Sequence, residues 1–99
     1  MVKHMIIWQL KEGLPRAETA AKIKAALEGL VGKIDGLLEM HILTEGLPCS
    51  SGDIMMDSLF RDAEALSAYQ THPLHQEVAN GLVRPAVDVR LSFDYVTEA

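Results

Sequence analysis

The sequence predicts an α+β fold in which a four-stranded sheet carries helices over one face, in the order β-α-β-β-α-β. Three observations predict it. β-forming stretches open and close the chain, and two more lie back to back in its middle. Apolar residues at helical spacing fill the two segments between the outer and inner stretches. The last stretch alternates strictly between apolar and polar residues, the mark of a strand with two unlike faces.

The elements follow in order. "VKHMIIWQL", Val2 to Leu10, is rich in β-formers and stops at "KEG". Both of its faces, His4/Ile6/Trp8 and Met5/Ile7, are largely apolar, which predicts a strand covered on both sides. A helix starts at Pro15 and places Ile23, Leu27, Leu30, Val31 and Ile34 on one face, with "DG" at Asp35-Gly36 as its stop. Leu37 to Thr44 forms a second strand, with Leu38, Met40 and Ile42 alternating against Glu39 and His41. "EGLPCSSG" is a loop, and Asp53 to Phe60 forms the third strand. Asp62 is placed to cap the helix "AEALSAYQ".

That helix cannot continue through Pro73, whose ring disfavours helical geometry at His72. Proline suits the first position of a new helix, so "PLHQEVANGLV" begins a second piece with Val78, Leu82 and Val83 inward. Val87 to Val96 closes the sheet, setting Val87, Val89, Leu91, Phe93 and Tyr95 against Asp88, Arg90, Ser92 and Asp94. This is the split-βαβ, or ferredoxin-like, arrangement. The helices cover one sheet face, leaving Met5, Ile7, Val89, Leu91 and Phe93 on the other. That apolar patch predicts a homodimer paired through its sheets, a dimeric α/β barrel.

Bulk properties narrow the function. A chain of 99 residues supports one core, so residues 1–99 are read as one domain. A net charge of -5, with the basic residues scattered, argues against nucleic-acid or anionic-membrane partners. The opening stretch is too short to span a bilayer and lacks a signal-peptide cleavage pattern. Cys49 stands alone and cannot form an internal disulfide, so a cytoplasmic location is expected. No motif calls for a cofactor.

The segments "VKH", "GKIDG", "F.D.EAL.AYQTHPLH" and the closing "DY" together resemble the stress-responsive dimeric α/β barrel (A/B barrel) domain family over nearly the whole chain. The resemblance implies the ferredoxin-like dimeric barrel already reached from the residues. One plant member, olivetolic acid cyclase, closes a linear polyketide by aldol condensation in a pocket between sheet and helices. Its catalytic tyrosine and histidine match Tyr69 and His75, its early pocket histidine matches His4, and its terminal aspartate matches Asp94. A further histidine of its third strand falls on Ile54, and pocket aromatics are replaced by residues such as Val78 and Ala79.

By that match, the faces bearing His4, Ile6 and Trp8 and bearing Arg90 and Asp94 turn toward the helices. The expected pocket is therefore His4, Ile6, Trp8, Met56, Arg90 and Asp94, with Tyr69 and His75 as the proton-transferring pair. A simpler reading has Tyr69, His75 and Asp94 satisfying one another as buried polar groups. A pocket for a small organic ligand, a cyclase- or lyase-like enzyme and a purely structural stress protein all remain open at this stage. His72 reads as a structural residue of the helix junction. No metal site is expected, because the proline break spoils the geometry of His72-x-x-His75.

Overall fold

A computed structural model describes residues 1–98; Ala99, counted above within the one domain, lies outside the described residues. The elements are β1 (Val2–Leu10), α1 (Arg16–Glu28), β2 (Leu37–Leu43), β3 (Ile54–Phe60), α2 (Ala63–Thr71) and α3 (Pro73–Val78). A π-helical turn (Ala79–Val83), a one-turn α4 (Arg84–Ala86) and β4 (Val87–Val96) follow. The strands lie in the order β2-β3-β1-β4, with every neighbouring pair antiparallel. This is the ferredoxin-like sheet.

The alternation of β1 decides the two faces. Val2, His4, Ile6, Trp8 and Leu10 are buried beneath the helices. Ile7 is 43% exposed on the other face, so within the single chain only one side of β1 is covered. Register sets Ile7 beside Met55 and Leu91, and Met5 beside Asp57 and Phe93. Leu91 and Phe93 are 65% and 70% exposed, so the open face has an apolar centre. Around it, Lys3 pairs with Asp57 at 2.7 Å and His41 with Glu39 at 3.0 Å.

α1 buries Ile23 and Leu27 against the sheet, each worth about 1.5–3 kcal/mol of apolar burial. The helix ends at Glu28, earlier than its apolar spacing suggests. Leu30 and Ile34 still reach the core, but Val31 is exposed in the turns before Gly36. Gly36 has φ of +84°, and a Cβ there would lie 2.5 Å from the Ala65 Cβ, so the turn and the packing of α2 both require glycine.

At the outer edge of β2, the Ile42 N–H donates to Glu28 at 2.9 Å, and the Lys24 ammonium donates to the Ile42 carbonyl at 2.9 Å. The Ile42 bond, followed by Lys24, holds the Glu28 carboxyl below its ordinary range. A register shift between Leu37 and Glu39 turns Leu38 outward, where a simple alternation placed it inward. β3 begins one residue later than predicted. Asp53 precedes it and accepts from the Leu10 N–H at 2.8 Å and from Arg16, tying the start of α1 to the sheet.

Candidate functional site

The site begins with the helix break at Pro73. Asp62 caps α2 as expected, accepting from the Ala65 N–H at 2.8 Å. At the other end, the His72 N–H donates to the Tyr69 carbonyl at 3.1 Å, and its Nδ1 accepts from the Leu74 N–H at 3.1 Å. His72 therefore closes α2 and caps α3, with Pro73 at the first turn of the latter. The break turns the chain so that Tyr69 from α2 and His75 from α3 meet, with ring centroids 4.2 Å apart and planes tilted by 37°.

Beneath the helices lies a half-open pocket of about 540 Å³. Ile6, Trp8, Leu27, Met56 and Val83 supply apolar walls, while His4, Tyr69, His75 and Arg90 bring polar groups to the same space. Asp94 is not among the lining residues. It sits opposite His4 in the β1–β4 register and accepts from His4 Nδ1. A carboxylate oxygen accepts, so that bond places a proton on His4 Nδ1 and fixes the orientation of its ring.

Tyr69 and His75 occupy unlike environments. Tyr69 is 1% exposed, and burial pushes its hydroxyl well above the ordinary tyrosine value. Its Oη, like Trp8 Nε1, is buried with no hydrogen-bond partner among the described residues. Burial lowers the pKa of His75 below 6.5, outweighing the hydrogen bond to Gln70, which raises it; Arg84 and Arg90 lower it further. Its Nδ1 donates to the Gln70 carbonyl at 3.3 Å, which puts the free lone pair on Nε2. At neutral pH the pair thus combines a protonated phenol with an unprotonated imidazole.

The mutual-satisfaction reading fails on this geometry. His4 takes Asp94, Gln70 takes His75, and the Tyr69 hydroxyl takes nothing. Phe60, fully buried, lies between Tyr69 and His4: its ring is 4.9 Å from Tyr69 and 6.2 Å from His4. Sequence reading had not singled out Phe60, Gln70 or Arg84. Gln70 sits inside the "AYQTHPLH" segment, and its backbone carbonyl, which side-chain chemistry does not reveal, is what orients His75. Ile54 is buried at the far end of β3 and takes no place in the pocket lining.

The model of the stress responsive A/B barrel domain family matches residues 2–97. The chain belongs to that family. No curated protein sequence matches this A/B barrel chain. Among solved structures, it is similar to a dimeric protein of unknown function with a ferredoxin-like fold from Bacteroides fragilis. The two share 24% identity over 97% of this chain and 95% of the other, with a TM-score of 0.87. An Arabidopsis thaliana protein, At3g17210, is 24% identical over 100% and 97% of the two chains, with a TM-score of 0.82. A hydroxynitrile lyase from Passiflora edulis is 18% identical over 99% and 94%, also with a TM-score of 0.82. At these identities the likeness concerns the fold. Among the described residues, no helix is long and apolar enough to cross a membrane, and no cluster of His, Cys, Asp or Glu could hold a metal ion.

Proposed function

We propose that this A/B barrel chain is a single-domain cytoplasmic homodimer that holds a small organic ligand in the pocket between sheet and helices. The observation that carries the reading is the pocket of about 540 Å³, where the unprotonated His75 and the Asp94-oriented His4 come together with apolar walls. Sites of this size and mixture, with few polar groups converging on an apolar space, are typical small-molecule pockets. Pairing through the open sheet face would cover Ile7, Leu91 and Phe93 and leave this pocket on the outer, helical side. The solved relatives described as dimeric support that assembly. The exposed free thiol of Cys49 fits a reducing compartment.

A second reading, a lyase- or cyclase-like enzyme, is favoured by one feature of the same pocket. Tyr69 and His75 have their proton affinities pushed apart, which is how an acid and a base are prepared side by side. Tyr69 would donate to a developing oxyanion while His75 Nε2 accepts a proton from the substrate carbon.

A thermal-shift screen with aliphatic and aromatic carbonyl compounds, neutral and acidic, tests the pocket, since a ligand that favours the folded state raises the midpoint. The expected result is a concentration-dependent rise that His75→Ala abolishes. A flat screen, or a rise unchanged in His75→Ala, would leave a purely structural role. Light scattering on the same samples should give about twice the chain mass at micromolar concentration, and Phe93→Asp should halve it.

A further inference from the structure

The pocket has a cationic mouth in an acidic chain. The net charge is -5, and the cations Lys3, Arg16, Lys24 and Arg61 each face a carboxylate. Arg90 differs. It lies opposite Trp8 in the β1–β4 register, on the helix-covered face, and lines the pocket. Among the described residues it makes no ion pair and no side-chain hydrogen bond. Arg84 joins it from α4, held in place by donating from Nη1 to Asn80 Oδ1 at 2.6 Å, and it too meets no carboxylate among the described residues. Asp88 lines the same rim, so the local balance is two cations against one anion.

Behind this rim, the walls of Ile6, Trp8, Leu27, Met56 and Val83 offer no partner for a charge. A ligand matching both parts has an apolar body and one anionic end. A guanidinium suits a carboxylate especially well, because its planar fork donates two parallel hydrogen bonds. Since Arg90 is on the helical side, pairing through the open sheet face leaves it free.

We propose that Arg90, assisted by Arg84, makes the pocket selective for amphiphilic monocarboxylates, seating the carboxylate at the mouth and the apolar body against Trp8 and Met56. The proposal rests on the ligand-pocket reading and adds a charge requirement to it. Asp88 works against the same carboxylate, so it sets the strength of the preference.

Matched probes test it: hexanoate against hexanamide, and benzoate against benzamide, titrated at low salt while the Trp8 indole N–H signal is followed by NMR. The expected result is a preference of about tenfold for each carboxylate, reduced to near parity in Arg90→Gln and by added salt. Asp88→Asn should strengthen the preference. Equal binding of acid and amide, or a preference that survives Arg90→Gln, would overturn the charge requirement while leaving the ligand pocket standing. If none of the four probes moves the Trp8 signal, the pocket reading falls and the selectivity falls with it. Arg90→Lys guards against a folding artefact. It keeps the charge but loses the fork, so it should retain part of the preference, and complete loss in a folded Arg90→Lys would also count against simple charge recognition.

Discussion

Replacing Tyr69 by Phe removes one oxygen and leaves the ring where it is, between Phe60 and His75. In most proteins the change costs stability, because a buried hydroxyl is usually hydrogen-bonded. Here Oη is buried without a partner among the described residues. Burying a hydroxyl unpaired costs about 1–3 kcal/mol on the scale of protein mutations. Tyr69→Phe should therefore stabilise the fold by about 1 kcal/mol, the lower part of that range, since a protein relaxes around an unmet group. For a chain of this size that amounts to a rise of roughly 4–8 °C in the midpoint. Urea denaturation at neutral pH should show the midpoint moving with an unchanged slope, since the surface exposed on unfolding is the same. The ligand response should move the other way and weaken, because the hydroxyl is the acid of the proposed site. A destabilisation of about 1 kcal/mol or more would show that Oη is paired in solution, and the account of Tyr69 as a donor held in reserve would be wrong.

Two further outcomes follow from the neighbouring histidines. The folded pKa of His75 lies below 6.5 because burial disfavours its cation. Its contribution to stability is therefore complete above about pH 7 and declines as pH falls toward the folded pKa, where the unfolded chain takes the proton first. His75→Gln should flatten that part of the stability–pH curve, and an identical curve for both proteins would refute the burial argument. His72→Ala removes the acceptor that caps α3 at Leu74 and should cost about 0.5–2 kcal/mol. Ligand titrations should be unchanged in that variant, since His72 does not line the pocket; a matching loss of binding would show that the junction and the site are one unit.

What the sequence determined by itself is the set of local facts. The cap at Asp62 and the break at His72-Pro73 each depend on a few adjacent residues, and each stands in the structure where local rules place it. The alternation of the last strand holds from Val89 onward, but a register shift opposite Gln9 and Leu10 turns Val87 to the helix-covered face, against the core. The order of elements followed from those facts, and with it the ferredoxin-like sheet. Strand parity also put His4 and Asp94 on definite faces. It could not say that they touch. That contact joins residues 90 apart and exists only because β1 and β4 pair in one register out of several with the same parity. The same limit explains Leu38, which alternation sends inward and a register shift beside β3 sends out. It explains Val31 as well: helical spacing continues past Glu28, while the chain must unwind there to reach the edge of the sheet. The π-turn at Ala79–Val83, the Gln70 carbonyl that orients His75 and the Phe60 ring between Tyr69 and His4 are likewise tertiary outcomes. Periodicity reports which way a side chain leaves its own backbone. Which group it meets is set by how distant segments pack, and that packing is a property of the whole chain.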